Sequence, residues 1–410
     1  MGLVALAFAL AGGQALAQLQ QYTPAGSLAE RGVPSREQLK ESMKQARWHL
    51  GRVRIAPWLG LKDVMYVDNV FGTAEGARSD LTATVGAGVH GYLPVGAKLV
   101  LDAYALPEYV WWKDLASRRL WNGRYGAGLY GYFNRLVVEA SVLDSRSQQY
   151  ASADLEQPIN LSARGGNLTL ELQVLRRVAL FATASQRQWR HRATDLAGEA
   201  GEALLLQDRD ETQGRAGLRF RFGERLSLGV GIERLDIAFE RDERDRSTTS
   251  NAPSVELRAE GPRWWSVLSA SAPVLEPRTG SLLARHEGKL GHAQLGWRLR
   301  RGLEWRLYGA RQLAFSYSAD SLFSESERWG VAIQRQLGWR SSGAVFWESG
   351  RGRYFHYDDR IVRSEDLQAY GLALSFQLGE KFMFATQASR TRYHAGAAGE
   401  RVITRVQTTF

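Results

Sequence analysis

The strongest constraint on this chain is the alternation of apolar and polar residues along many short segments. In residues 168–174, leucine and valine occupy every second position, with Thr169, Glu171 and Gln173 between them. A β-strand places successive side chains on opposite faces, so each such segment can bury one face and wet the other. The same alternation recurs in three further segments, 215–222, 226–233 and 367–376.

Two folds use such strands, a soluble β-sandwich and a membrane β-barrel. A sandwich chain of 410 residues would normally divide into several domains. No linker follows residue 50, which favours one continuous barrel.

The last nine residues repeat the alternation. Val402, Val406 and Phe410 share one face of an extended strand, and Arg405 and Gln407 lie mostly on the other. A final strand that ends on an aromatic residue resembles the terminal strand of bacterial outer-membrane β-barrels, where it is the signal read by the barrel assembly machinery. The resemblance implies that Phe410 is such a signal. A soluble edge strand is the alternative.

Residues 1–17 are typical of a secretory signal peptide, with an apolar run and an A-x-A cleavage site before Gln18. The basic residues that usually precede the apolar run are missing, which is consistent with a start upstream of Met1. Beyond this segment there is no run of eighteen apolar residues, which excludes a helical membrane protein. The chain has no cysteine, which excludes a lipoprotein anchor and disulfide bonds.

The formal net charge is +10, from 53 Lys and Arg against 43 Asp and Glu. In a cytosolic protein this charge would suggest nucleic acid. The export signal removes that interpretation, and we expect no nucleic-acid partner. We expect instead a location in the bacterial outer membrane, in contact with its lipid and lipopolysaccharide.

Residues 18–51 are polar and lack alternation, which predicts a periplasmic leader with a short helix after Ser35 as N-cap. Residues 52–410 contain eight tight turns that alternate with nine longer connections. This predicts an all-β, transmembrane, antiparallel up-and-down β-barrel of about eighteen strands, with both chain ends on the side of the short turns. Sixteen strands is the second choice, because residues 60–72 and 274–290 are difficult to place.

The faces opposite the apolar stripes carry charges of both signs among many Gly and Ser, which is typical of a hydrated lumen. The arginine excess favours anionic solutes or an acidic polymer, and the alternative is simple pairing of Arg with Glu between strands. The residues predicted to line the lumen are Glu139, Glu171, Arg215, Arg219, Arg221, Glu233, Arg298 and Arg306.

Tryptophans cluster near the ends of the predicted strands. Outer-membrane barrels place aromatic girdles at both membrane interfaces, because an indole has an apolar body and a polar tip. The predicted girdle comprises Trp111, Trp112, Trp121, Trp264, Trp265, Trp297, Trp305, Trp329 and Trp339.

No motif predicts catalysis. His356 lies beside Asp358 and Asp359 in a polar connection, where an acid–base pair could hydrolyse a lipid or a peptide. The sequence contains no G-x-S-x-G or H-E-x-x-H motif, and a solvated loop is the simpler interpretation. We therefore expect no enzyme activity, no cofactor and no metal site, and keep a barrel hydrolase as an alternative.

One segment resembles a known family. Pro57 is followed by Asp68-Asn69-Val70-Phe71, and then by Asp80 at the start of another alternating strand. This ordered combination, clearest over residues 55–92, is similar to the opening of the β-barrel porin family found in exopolysaccharide operons. The motif residues are Pro57, Asp68, Asn69 and Asp80.

The resemblance implies a channel that exports an exopolysaccharide or capsular polymer across the outer membrane. Such a channel would act beside a periplasmic polysaccharide export protein. The family supplies no catalytic residues. The alternative is a general diffusion porin for small solutes.

Overall fold

The computed structural model is built almost entirely from antiparallel strands, as the alternation predicts. Within the residues it describes, no helix is long and apolar enough to cross a bilayer. The described residues are 36–67, 70, 78–149, 159–192, 204–223, 225–241, 246–278, 284–299, 302–316, 321–338, 340–378, 382–394 and 400–409.

One α-helix, α1, spans Arg36–Gln45, and a short 3-10 helix spans Ala116–Arg118. The strands are β1 (Trp48–Leu50), β2 (Val53–Val67), β3 (Asp80–Val95), β4 (Leu99–Trp112), β5 (Leu120–Tyr132), β6 (Leu136–Gln149), β7 (Ile159–Leu175), β8 (Val178–Arg192), β9 (Arg209–Arg221), β10 (Leu226–Phe239), β11 (Thr248–Glu260), β12 (Trp264–Ser271), β13 (Val274–Pro277), β14 (His286–Glu287), β15 (Leu290–Arg298), β16 (Leu303–Phe315), β17 (Phe323–Gln336), β18 (Ser341–Phe355), β19 (Ile361–Leu378), β20 (Phe382–His394) and β21 (Glu400–Thr409).

The sheet closes on itself where Val64 of β2 pairs with Thr408 of β21. The predicted all-β, antiparallel up-and-down barrel is thereby confirmed. The 21 strand segments are near the predicted eighteen but not equal to it. The difference arises because β1 forms only a short hairpin with β2, and because two strands of the wall are interrupted.

The interruptions fall at residues 272–273 and 288–289, just before and within residues 274–290, which the alternation does not resolve. β11 pairs with both β12 and β13. On the other side of these two strands, β12 pairs with β15 and β13 pairs with β14. Pro273 lies between β12 and β13 and has no N–H to donate to the ladder. In the other difficult segment, the pairing of β2 with β3 shifts register between Lys62 and Met65.

The outward face of the wall is apolar. Residues that pair directly across neighbouring strands share a face. One such row runs across five strands, and each of its members is more than a third exposed. It comprises Leu172, Leu180, Leu218, Val230 and Val255.

The predicted girdle is only partly on this outward face. Trp112 is 1 % exposed, and Trp265 lies beneath an inward-facing arginine, so neither can contact the membrane interface. Trp264 and Trp265 are adjacent in β12 and therefore point to opposite faces. Trp339 lies outside the described residues. The members of the predicted girdle with exposed side chains are Trp121, Trp264, Trp297, Trp305 and Trp329.

Short turns join the strands at one end of the barrel, which we call the turn side, and longer connections join them at the other, the loop side. Gly96 and Gly223 lie in two of the short turns with φ of 64° and 78°. Glycine suits these positions because a side chain rarely tolerates positive φ. The predicted signal peptide, 1–17, and the leader as far as Ser35 lie outside the described residues.

Helix α1 packs against the inward face of the wall at the turn side. Arg36 Nη2 donates to the carbonyl of Ala97 in the β3–β4 turn at 2.6 Å. Leu39 is 7 % exposed, and its cluster comprises Met43, Tyr92, Val100, Tyr130 and Tyr132. The short helix predicted after Ser35 is therefore present, and it lies inside the rim of the barrel. That residues 18–51 form a periplasmic leader stays a prediction.

We expect Leu39→Ala to detach α1 while the barrel stays folded. Removing a buried leucine side chain costs about 2–5 kcal/mol, and a single small cluster packs this helix against the wall. Hydrogen exchange should accelerate at the amides of residues 40–45, with no change in thermal unfolding of the strands. Lys40→Ala is the control, because Lys40 is exposed on the same helix. Equal exchange in the two variants would contradict the packing described.

Candidate functional site: the charged lumen wall

Contacts between strands that do not pair identify the inward face. Arg219 of β9 binds Glu171 of β7 and lies 3.4 Å from Glu256 of β11. Strand β8 separates β7 from β9, and β10 separates β9 from β11. Side chains two strands apart converge only on the concave face of a curved sheet. These residues therefore face the lumen.

Four arginines surround two glutamates on this wall. Arg221 also binds Glu171. Arg215 Nη1 lies 3.7 Å from Glu256 Oε2, and Arg258 Nε lies 2.8 Å from Glu256 Oε1. We call this set the arginine cluster: Glu171, Arg215, Arg219, Arg221, Glu256 and Arg258.

The arginine cluster presents its positive charge to the lumen. The Arg221 and Arg258 side chains are 40 % and 39 % exposed, whereas those of Glu171 and Glu256 are 16 % and 10 % exposed. Four guanidinium groups against two carboxylates leave a formal excess of two positive charges. A solute in the lumen therefore meets the cations before the anions.

An aromatic side chain supports the cluster from within the wall. The Phe181 ring centroid lies 5.2 Å from Arg215 Cζ and 5.3 Å from Arg219 Cζ, within the range of cation–π contacts. Gly217 pairs with Phe181 across β8 and β9. A Cβ at Gly217 would lie 2.8 Å from the Phe181 ring and 2.1 Å from the carbonyl oxygen of Val230, so glycine is required for this packing.

A second group of charges lies on β15 and β16. Glu304 Oε2 is 3.6 Å from Arg298 Nε, and Glu304 Oε1 is 3.1 Å from Arg306 Nη2. The Trp265 ring lies 5.4 Å from Arg306 Cζ. This group repeats the arrangement of the arginine cluster, in which arginines share a glutamate above an aromatic ring.

The other two predicted lumen residues lie on the same face but apart from these groups. Glu233 pairs in register with Arg215 and accepts a hydrogen bond from Gln213 at 2.8 Å. Glu139 pairs in register with Tyr130, which belongs to the cluster around α1. The structure thus places all eight predicted residues on the inward face and joins six of them into two groups. Their role in permeation stays a prediction.

The prediction missed Glu256 and Glu304, which bind the predicted arginines, and Arg258, which binds Glu256. The signal for two of them is present in the sequence. In β11, Glu256 and Arg258 alternate with Val255 and Leu257, the same pattern that identified the neighbouring strands. The aromatic support from Phe181 and Trp265 has no such signal, because it depends on contacts across strands.

Of the family-motif residues, Asp80 has a clear structural role. Its side chain is buried, and it accepts hydrogen bonds from the backbone N–H groups of Leu81, Asp114 and Leu115 at 2.7, 3.1 and 2.9 Å. These bonds fix the start of the β4–β5 connection. Pro57 lies in β2 and pairs with Val89 of β3. Asp68, Asn69 and the predicted assembly signal Phe410 lie outside the described residues.

His356 lies in the β18–β19 connection, where its Nδ1 is 3.3 Å from Asp358 Oδ1. The histidine is partly exposed and the aspartate side chain is 59 % exposed, as a solvated pair would be. Among the described residues, no group of three or more acidic or histidine side chains is placed to hold a metal ion.

Comparisons with known proteins address the fold. No protein-family model matches the sequence, and no curated protein matches it. Solved structures of outer-membrane channels do match, at low identity. OpdK of Pseudomonas aeruginosa is 12 % identical with a TM-score of 0.51, covering 87 % of this chain and 98 % of its own. OccK2 (OpdF) of the same species, in complex with glucuronate, is 11 % identical with a TM-score of 0.51, covering 87 % and 97 %.

A BenF-like porin from Pseudomonas fluorescens Pf-5 is 10 % identical with a TM-score of 0.52, covering 88 % and 98 %. The fold is therefore that of the outer-membrane β-barrels to which the chain is similar. The comparisons support the porin part of the predicted family and not its link to exopolysaccharide operons. These neighbours are channels, in agreement with the expectation of no enzyme activity.

We expect Asp80→Ala to loosen the β4–β5 connection. The variant removes the acceptor of three backbone hydrogen bonds, and each buried donor left without a partner costs about 1–3 kcal/mol. Hydrogen exchange at the amides of Asp114 and Leu115 should accelerate. Asp114→Ala is the control, because it removes a carboxylate from the same connection but keeps the backbone N–H donors. Unchanged exchange in Asp80→Ala would contradict the assigned role.

We expect Glu171→Gln to increase the preference of the lumen for anions, because it leaves Arg219 and Arg221 without their carboxylate. One unit charge about 8 Å from an ion, at an effective dielectric constant of about 60, changes the ion's local concentration about threefold. Reversal potentials in a KCl gradient across planar bilayers measure this preference. Asp366→Asn is the matched control, since this substitution removes the same charge from an exposed pair with Arg351. An equal shift in both variants would place Glu171 outside the conducting path.

Proposed function

We propose that this barrel is a passive channel through which small anionic solutes cross the outer membrane. The observation that carries the proposal is the arginine cluster, with its exposed guanidinium groups and more buried carboxylates. Mixed-sign charges on a barrel wall suit a hydrated path, and the excess of arginine raises the local concentration of anions. Diffusion down a gradient requires no further chemistry from the protein.

The structural neighbours support a channel for small solutes. OccK2 is a porin whose structure contains glucuronate, a sugar carrying one carboxylate. A carboxylate of this kind would find bidentate partners in the guanidinium groups of Arg221 and Arg258. Because the identity to OccK2 is low, this likeness supports the class of solute and not a particular ligand.

Export of an exopolysaccharide, the first prediction from the sequence, has less support. A polymer needs a continuous open path through the barrel. Here α1 packs inside the turn-side rim, and connections at the loop side contact one another across strands that do not pair. The solved neighbours are small-solute porins as well, which favours the second prediction, a diffusion porin.

Liposome swelling distinguishes the two functions directly. Liposomes that contain the purified barrel should swell in glucuronate and, more slowly, in glucose, and should not swell in a dextran too large for the lumen. Rapid passage of the dextran would favour the polymer channel. Absence of swelling in every solute would contradict the proposed function.

We expect Arg221→Gln to lower the anion-to-cation permeability ratio about threefold, by the same estimate for one unit charge. Arg221 is suited to the test because it is the most exposed arginine of the cluster. Arg351→Gln is the matched control, because its arginine is paired with Asp366 and exposed at the loop side. Reversal potentials in planar bilayers give the ratio. A ratio unchanged in Arg221→Gln would remove the arginine cluster from the selectivity of the channel.

A further inference from the structure

At the loop side, the ends of β10 and β16 meet although these strands do not pair. The Phe315 ring at the end of β16 lies 5.0 Å from the Phe239 ring at the end of β10. Gln207 Nε2 donates to the carbonyl of Ser316 at 2.6 Å. In the sheet, β11 to β15 separate β10 from β16, a path of about 19 Å at the usual strand spacing. Phe315 and Ser316, which lead into the β16–β17 connection, therefore lie inward from the wall, toward β10.

Beneath this connection, His286 of β14 lies between two carboxylates. Its Nδ1 is 2.7 Å from Asp359 Oδ1 in the β18–β19 connection, and its Nε2 is 3.3 Å from Glu325 Oε1 in β17. The side chains of His286 and Glu325 are 6 % and 2 % exposed. The rings of Phe323 and Phe355 flank the imidazole with centroids at 4.4 and 5.0 Å. The side chain of Asp359 is 39 % exposed, so water can reach this contact, whereas the contact with Glu325 is buried.

The two contacts together require two protons on the imidazole. An ionised carboxylate only accepts hydrogen bonds, so each contact needs an N–H on the histidine. A neutral imidazole carries one N–H, and the imidazolium carries two. The arrangement of His286 with Asp359 and Glu325 is complete only when His286 is protonated.

No neighbouring charged group removes the need for a protonated His286. Arg311 Nη2 lies 2.6 Å from Glu325 Oε2 and keeps that carboxylate ionised, but it leaves Oε1 to the histidine. The backbone N–H of Arg360 holds the pKa of Asp358 below its ordinary value, so Asp358 does not titrate between pH 5 and 8. The other titratable or charged groups near His286 are Arg246, His356 and Tyr357, which line the same small cavity, and the exposed pair of Arg285 with Glu287.

Asp359 depends on its partner for its conformation. It has φ of 62°, the only positive φ among the described non-glycine residues. Aspartate visits this region more readily than most residues, but the conformation persists only where contacts hold it. Loss of the contact with His286 would leave the β18–β19 connection held only by backbone hydrogen bonds, such as that from Ala284 N–H to the carbonyl of Tyr357 at 2.8 Å.

We propose that His286, Asp359 and Glu325 form a proton-operated latch, which holds the β18–β19 connection over the loop-side mouth when His286 is protonated. As the pH rises and His286 loses a proton, the imidazole keeps one N–H and no charge, so the two carboxylates compete for a single donor and the hold on the connection weakens. The channel then opens further at neutral pH than at acidic pH. This consequence for conduction rests on the proposed channel function, whereas the latch itself does not.

A spin label on the connection tests the latch without reference to conduction. The chain contains no cysteine, so Arg360→Cys, whose arginine side chain is 69 % exposed, provides a single attachment site. The label should be restrained at pH 5 and mobile at pH 8, with a roughly tenfold change in the ratio of the two populations for one charge-assisted hydrogen bond. In the His286→Gln background, it should be mobile at both pH values.

Asp359→Asn gives the opposite result in the same assay. Asparagine also tolerates positive φ, and its amide can donate to the unprotonated nitrogen of a neutral imidazole. In this background the label should be restrained at both pH values. His191→Gln is the control, because the contact of His191 Nδ1 with Asp208 at 2.9 Å needs only one N–H. The response to pH should therefore remain in His191→Gln.

Conductance in planar bilayers then tests the consequence. The unlabelled protein should conduct more at pH 8 than at pH 5, and His286→Gln should conduct at the higher level at both. A label that does not respond to pH, or that still responds in His286→Gln, overturns the latch. A label that responds while the conductance stays constant overturns its role in gating. Failure to conduct small ions at any pH overturns the proposed function, and the label alone then decides the latch.

Discussion

The structure depends on the pairing of backbone groups in a medium that offers no other partner. In the hydrocarbon of a bilayer, each unpaired N–H or C=O costs several kcal/mol, so a membrane sheet must close on itself. Here closure occurs between β2 and β21. The wall is interrupted between β12 and β13 and between β14 and β15, but backbone pairing continues at these points. Beyond the ends of β12 and β15, β13 pairs with β11 on one side and with β14 on the other.

Closure gives the side chains an outward and an inward face. Charged side chains on the inward face must find partners among themselves. Glu256 shows how this is achieved, because it is nearly buried and meets Arg215, Arg219 and Arg258. Each glutamate is shared by several arginines, which leaves guanidinium groups with donors to spare at the lumen surface. The pairing that stabilises the wall and the proposed preference for anions thus rest on the same residues. The two interpretations offered by the sequence, ion pairing and anion preference, are compatible.

The sequence predicts the features that follow from the two-residue period of a strand. It does not predict contacts between residues that are distant in the chain. Alternation places Glu171, Arg219 and Arg221 on the inward face, because a strand has a period of two. It cannot indicate that Trp265 lies under Arg306, which belongs to another strand. Pro273 could have indicated the break between β12 and β13, since proline seldom occurs inside a ladder. The contact of His286 with Asp359 joins residues 73 positions apart, and no spacing in the sequence predicts it.

Packed side chains at both ends of the barrel favour small solutes over polymers. Helix α1 packs inside the turn side through Leu39, and at the loop side Phe315 and Ser316 contact residues of strands and connections that do not pair with β16. Between these two ends, the arginine cluster lies on a wall lined by glycine at positions such as Gly217, Gly229 and Gly231. On the proposed function, a short anion would pass these two ends and the charged wall in sequence, whereas a polymer would occupy all of them at once.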